Sequence, residues 1–259
     1  MIKAIFFDID GTLISFKTHK LPESTKTALQ MLREKGIKLF VATGRPLKNV
    51  DFLKAMFEFD GYVTMNGQYC CYGSDIIHEA TISTESLRTL LPYLQEHSIA
   101  CSVVELNYNY INLINDKVLG VYELLGNTLE LEPIEDMSRA LCNKVYQLSP
   151  YIDEADEAEF LRHLPGCKAA RWCAPFTDII PSDGGKEIGI EAMLAHCGMT
   201  VDEAMAFGDG GNDVTMLQHI KMSVAMGNAE DKVKAAASYV TDDIDNDGIY
   251  KALRHFNII

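Results

Sequence analysis

The chain opens on an apolar run, Ile2–Phe7, interrupted only by Lys3 and with no polar alternation across Ala4, Ile5, Phe6 and Phe7. Such a run is short for a helix and suits a central parallel strand buried on both faces. Gly11 punctuates it just downstream. Pro22–Lys35 carries Ala28, Leu29 and Leu32 at helical spacing, opens with Pro and Glu, and closes at Gly36. Ile37–Ala42 is a second apolar strand. Strand, helix and strand together predict a parallel pair joined by a right-handed crossover, so the residues that follow both strands share one sheet edge. Pro46–Phe57 predicts another helix, and Tyr62–Met65 a strand ending in an Asn66-Gly67 turn. Gln68–Tyr72 and Asp75–His78 alternate around Gly73-Ser74 and predict a hairpin.

The pattern changes near Ser83. Ser83–His97 reads as a helix, Ala100–Leu106 and Tyr110–Ile114 as a hairpin, and Asp116–Leu125 as a helix. Lys144–Leu148 reads as a strand, Glu154–Leu164 as an amphipathic helix, and Ala169–Cys173 with Thr177–Ile180 as a last strand pair around Ala174-Pro175. Hairpins with helices on one side predict an α+β module inserted into an α/β domain. Its expected span is 82–183, leaving 1–81 and 184–259 as the core. The α/β pattern then resumes. Ile188–Cys197 reads as a helix stopping at Gly198, Ala204–Phe207 and Met222–Ala225 as strands, and Ala229–Ala237 as a helix.

Composition narrows the function. With 259 residues and 47% hydrophobic content, a substantial core is expected. A net charge of −14 argues against a nucleic-acid surface. Seven irregularly spaced cysteines give no disulfide framework, so a reducing compartment is expected. Asp8 and Asp10 interrupt the N-terminal run before it resembles a signal peptide, and no stretch approaches the apolar length of a membrane span. A cytoplasmic protein with no membrane or nucleic-acid partner is the expectation.

Several strand ends carry chemistry. Asp8 and Asp10, one residue apart at a strand end, repel each other, and a cation between them relieves that cost. Hard oxygen ligands suit Mg²⁺. Thr43-Gly44-Arg45 follows the second strand, where a hydroxyl, backbone N–H groups and a guanidinium can hold an anion. Lys186 opens a helix, electrostatically the wrong end for a cation, and a bound anion resolves the conflict. Gly208-Asp209-Gly210-Gly211-Asn212-Asp213 is a flexible strand-to-helix turn rich in oxygen ligands. Asp243, Asp245, Asp247 and Gly248 resemble the start of a calcium loop, but Arg254 stands where that loop needs Glu.

Taken in order, Asp8-Ile9-Asp10-Gly11-Thr12, Thr43-Gly44-Arg45, Lys186 and the Gly208–Asp213 cluster resemble the motifs of the haloacid dehalogenase superfamily. The resemblance is to its Cof-type phosphatases with a large α/β cap (subclass IIB), which are sugar-phosphatase-like, and it covers essentially the whole chain. It implies a Rossmann-like α/β core with a parallel sheet and an inserted cap that closes over the core. It further implies hydrolysis of small phosphomonoesters, sugar (hexose) phosphates foremost, through an aspartyl-phosphate. In that scheme Asp8 is the nucleophile and Asp10 the acid and base. The Asp8 side chain, the Asp10 backbone carbonyl and Asp209 hold Mg²⁺, and Asp213 supports the metal or its water. Thr43, Lys186 and Asn212 grip the phosphoryl group, with Gly44 and Arg45 beside the substrate. Cap candidates for specificity are Arg171, Trp172, Phe176, Tyr108 and Tyr110, with Trp172 beside Arg171 as a sugar-stacking platform.

Rival phosphatase chemistries fail on spacing. No cysteine is followed six positions later by the Arg that a cysteine phosphatase needs, and neither Arg162-His163 nor Arg254-His255 continues to Gly. A phosphomutase of the same fold and a non-catalytic Mg²⁺ or phosphometabolite sensor remain as alternatives, though the presence of Asp10 counts against the sensor. A receiver domain would need neither the insertion nor Thr-Gly-Arg. With a small soluble substrate and no association signal, a monomer is expected.

Overall fold

In the structure, a computed structural model that describes residues 1–124 and 131–259, the N-terminal run forms β1 (Ala4–Phe7), with all four side chains buried. A crossover through α1 (Glu23–Glu34) returns the chain to β2 (Lys38–Ala42), parallel to β1. α1 turns Ala28, Leu29 and Leu32 inward, the spacing that marks it in the sequence. β3 (Gly61–Thr64) continues the parallel array, and β4 (Tyr69–Tyr72) and β5 (Asp75–Glu79) add an antiparallel hairpin.

The helix expected over Pro46–Phe57 is instead two 3-10 turns, Leu47–Asn49 and Asp51–Ala55. Here carbonyls accept from three residues on: Asn49 N–H donates to Pro46, Val50 to Leu47 and Leu53 to Val50. Val50 and Leu53, three apart, are the buried pair, and a three-residue repeat keeps both on one side.

Residues Ala80–Gly184 form a compact unit of their own. Its elements are α2 (Thr84–Glu96), β6 (Cys101–Val104), β7 (Asn109–Ile111), α3 (Asp116–Leu124), β8 (Gln147–Pro150), α4 (Glu157–Arg162), β9 (Cys167–Cys173) and β10 (Phe176–Pro181). The five strands run in the order β7-β6-β8-β10-β9, every neighbour antiparallel. Leu87, Leu90 and Leu94 of α2 and Phe160 of α4 pack with Val103, Leu148 and Ile179, which stand opposite one another on three neighbouring strands and so share one sheet face. The expected final residue of α3, Leu125, lies outside the described residues.

β8 sits two to three residues later than expected. Val145 gives its carbonyl to the Ile82 N–H rather than to a strand partner, and Pro150, which has no N–H of its own to give, ends the strand before the Tyr151 N–H donates to the Ala100 carbonyl. The single helix expected over Glu154–Leu164 splits into a 3-10 turn, Glu154–Asp156, followed by α4.

The other unit, Met1–Glu79 with Gly185–Ile259, is completed by α5 (Lys186–His196), β11 (Ala204–Gly208), α6 (Val214–His219), β12 (Met222–Ala225), α7 (Asp231–Lys234), β13 (Tyr239–Val240) and α8 (Gly248–His255). α7 is shorter than the Ala229–Ala237 helix expected, because Glu230 is still extended when it caps it. The sheet order is β13-β12-β11-β1-β2-β3-β4-β5, parallel from β13 through β3. The chain is thus an α/β fold with a parallel-rich sheet and a separate antiparallel sheet. Since β1 lies between β11 and β2, the loops that follow all three leave the sheet together, the usual ligand edge of an open α/β sheet.

Candidate active site

Asp8 follows β1 directly. Its N–H still donates to the Phe207 carbonyl of β11 at 3.0 Å, so its backbone is fixed by the sheet ladder. Its side chain accepts from Lys186 Nζ at 2.7 Å, and the same ammonium donates to Asp213 Oδ1 at 2.6 Å. Lys186 is buried at the first turn of α5. The anions that resolve its position at a positive helix end are therefore the protein's own, Asp8 and Asp213.

Two glycines allow this approach. Gly67, at φ +93°, lies so close to the loop before α5 that a Cβ there would sit 2.0 Å from the Gly185 carbonyl oxygen. Gly11, at φ +83°, admits Asp209, whose Oδ2 would be 2.1 Å from a Cβ.

Asp213 is fully engaged. Beyond Lys186, its Oδ2 accepts from the Asp209 and Gly210 N–H groups, each at 2.9 Å, shaping the glycine-rich turn. Thr12 donates its hydroxyl to Asp209 Oδ1 at 2.7 Å. Asp10 is turned the other way, to a two-pronged pair with Arg45: Nε to Oδ2 at 2.7 Å and the terminal nitrogen to Oδ1 at 2.6 Å. Thr43, buried, accepts the Arg45 N–H on its hydroxyl at 3.1 Å. Asn212 donates to Asn66 Oδ1 at 2.9 Å, and Asn66 holds its place in a left-handed turn at φ +53°.

One carboxylate oxygen each from Asp8, Asp209 and Asp213 can be chosen so that all lie within 4.8 Å of one another. Burial, reinforced by the Asp213 charge, pushes the Asp8 carboxyl from 3.8 up to about 7, although Lys186 opposes the shift. Burial, then the Asp8 and Asp213 charges, hold Asp209 well above its ordinary value. Burial works against the Lys186 ammonium, but Asp213 and Asp8 outweigh it and raise its pKa. Four carboxylates, counting Asp10, thus share the two cations Lys186 and Arg45. An all-oxygen cluster short of positive charge fits a hard divalent cation.

The family model described as haloacid dehalogenase-like hydrolase matches residues 5–253. The chain belongs to that family. Among solved structures, the HAD subclass IIB sugar phosphatase BT4131 is 41% identical, with a TM-score of 0.92 over 99% of this chain and 100% of its own. The phosphatase BT1666 of Bacteroides thetaiotaomicron is 33% identical, with a TM-score of 0.92 over 100% of this chain and 96% of its own. YkrA of Bacillus subtilis (strain 168), provisionally named a phosphatase, is 28% identical over 257 residues, covering 99% of this chain and 98% of its own length.

In this haloacid dehalogenase-like hydrolase the candidates on the second unit are placed less evenly. Arg171 is committed to the fold: it donates to Glu157 at 2.5 Å, to the Ala174 and Phe176 carbonyls at 2.6 and 3.0 Å, and to the Ile152 carbonyl at 3.0 Å. Tyr110 is a fully buried core residue, and Tyr108 donates to Glu135 while the Arg139 guanidinium lies over its ring. Trp172 packs at a tilt against Phe176, ring centres 5.7 Å apart. Residues that the sequence reading left out are Thr12, Asn66 as the partner of Asn212, and Asn228. Asn228 follows β12, so the parallel strand order would have brought it to this edge.

The Asp8 shift has a sign that can be tested. Between its ordinary 3.8 and about 7, the folded hydrolase holds a proton that the unfolded chain has released, so stability from this group falls as pH rises through that window. A cation bound by the cluster acts oppositely. Relative to the Asp8→Asn variant, the melting temperature in chelator is expected to fall from pH 5 to pH 8. Added Mg²⁺ should raise it more at pH 8 than at pH 5. Scanning fluorimetry checks both; a larger Mg²⁺ effect at pH 5 would place the cation elsewhere.

Proposed function

We propose that this hydrolase is a Mg²⁺-dependent phosphatase of small phosphomonoesters, sugar phosphates foremost, working through an aspartyl-phosphate. The observation that carries the reading is Asp8, held at the sheet edge by Lys186 with a second carboxylate, Asp10, two residues on. The 41% identity to a structure described as a sugar phosphatase supports the substrate class.

In this reading an Asp8 oxygen attacks phosphorus while the bond to the ester oxygen breaks. Asp10 delivers a proton to the departing alkoxide, then takes one from water as that water attacks phosphorus and frees Asp8. Proton transfer of this kind is worth about 10²–10⁴ in rate. Mg²⁺ held by Asp8, the Asp10 carbonyl and Asp209 would supply positive charge against the phosphoryl oxygens. Lys186 already donates to Asp8 and so stands beside the phosphoryl oxygens when the new bond forms. Thr43 and Asn212 can turn a donor to the same group. Arg45 orients Asp10 and has charge to offer an incoming anion.

Phosphate release from a panel of hexose, pentose and nucleotide monophosphates, flavin mononucleotide and pyridoxal phosphate tests the proposal. Release is expected with Mg²⁺ and not with chelator, fastest for sugar phosphates. Tight Mg²⁺-dependent binding without release would point to a sensor, and isomerised sugar phosphate without release to a mutase.

A further inference from the structure

At the end of β12 the chain makes a Gly227-Asn228 turn that the sequence marks only as a loop. Gly227 is pressed against the neighbouring segment: a Cβ there would lie 2.5 Å from the Asp243 nitrogen and 2.7 Å from the Asp242 carbonyl carbon. Its N–H donates to the Asp242 carbonyl at 3.0 Å. That close packing fixes where the Asn228 side chain begins.

The Asn228 amide makes three hydrogen bonds. Oδ1 accepts the Ile244 N–H at 3.1 Å. Nδ2 donates to the Gly11 carbonyl at 2.9 Å and to Asp209 Oδ2 at 3.2 Å. The orientation is not arbitrary. A backbone N–H can only donate, and a carbonyl and a carboxylate oxygen accept, so the amide fits one way round. A loop tie to Ile244 accounts for Oδ1 alone. It leaves unexplained why both protons of Nδ2 reach across to the two loops that carry the candidate metal ligands.

We propose that Asn228 is the positioning residue for Asp209 as a metal ligand, an inference that rests on the Mg²⁺-phosphatase reading above. Thr12 holds Asp209 Oδ1 and Asn228 holds Oδ2, so the carboxylate is clamped at both oxygens before any cation arrives. The second Nδ2 proton fixes the Gly11 carbonyl and with it the peptide that follows the Asp10 turn. An amide suits this task because it is neutral. A lysine or arginine would orient Asp209 equally well but would cancel the charge that draws a divalent cation. Outer partners of this kind typically change metal affinity by about 10–100-fold.

The test is a calorimetric titration of the substrate-free, chelator-stripped protein with MgCl₂, for the wild type, Asn228→Ala and Asn228→Ser. Serine keeps a hydroxyl beside the Ile244 N–H but is too short to reach Asp209, which separates the loop tie from the clamp. Both variants should bind Mg²⁺ about 10-fold or more weakly, with melting temperatures in chelator close to wild type. Half-maximal phosphate release should need correspondingly more Mg²⁺, while kcat at saturating Mg²⁺ stays near the wild-type value. Mg²⁺ affinity within twofold of wild type in either variant would overturn the proposal. So would loss of the fold in chelator for both variants, which would make Asn228 a structural tie. A wild type that binds no Mg²⁺ would overturn the metal site itself, and this role with it.

Discussion

Asp8→Asn is expected to abolish phosphate release, by at least about 10⁴-fold, the scale on which loss of a covalent nucleophile acts. Asparagine is nearly isosteric, and its carbonyl oxygen can still accept from Lys186, so the site keeps its shape. What changes is charge. Burial holds the wild-type carboxyl up near 7, so at pH 8 its ionised form is carried at a cost in the metal-free protein. The variant has no such cost. It should therefore be inactive yet at least as stable as the wild type in chelator at pH 8. Phosphate release and a melting curve measured together check this. An inactive variant that is also markedly less stable would mean that the loss of activity reflects a disturbed site rather than a missing nucleophile.

Lys186→Met should act in the opposite sense on stability. The ammonium is buried between Asp8 and Asp213. Removing it leaves two carboxylates in a low-dielectric site, a loss of about 3–5 kcal/mol and a fall in melting temperature of roughly 10 °C. Activity should fall with it, since Lys186 is the cation nearest the attacking oxygen. Asp213→Asn added to Lys186→Met should recover part of the stability, because one of the stranded charges is gone. Thermal melts of the two single variants and the double variant give the coupling. Strict additivity would contradict the ion pairs on which the site's geometry is built.

What the sequence discloses here depends on how each element is buried. β1 and β11 are readable almost to the residue because interior parallel strands bury both faces and so appear as plain apolar runs. The segment after Thr43 is not, because Val50 and Leu53 suit a three-residue or a four-residue turn equally until their burial is known. Likewise β8 cannot be placed from its own residues, since its start is set by where Val145 finds a partner in a distant segment. The site shows the same division. Charged residues at strand ends, Asp8 and Asp209, and at a helix start, Lys186, announce themselves because their charge conflicts with a buried or helix-start position. Asn228 does not, because a neutral residue in a Gly-Asn turn creates no conflict to notice. Arg171 shows the reverse: a charge beside the only tryptophan invites a ligand, while the structure uses its donors on Glu157 and three carbonyls.

The central position of β1 also bears on how the protein is made. Its two neighbours in the sheet are β2 and β11, and Ala4 pairs with Lys38 on one side and Ala204 on the other. During synthesis β1, β2 and the following hairpin can assemble early, but the second flank of β1 emerges only after the roughly 100-residue insertion has been translated. Until then the most apolar strand of the protein presents an unpaired edge, the kind that recruits other chains. A nascent or truncated chain ending within the insertion is therefore the aggregation-prone species. The insertion, able to bury its own apolar face as a separate unit, can fold before β11 arrives, which shortens the effective loop that must close to bring β11 onto β1.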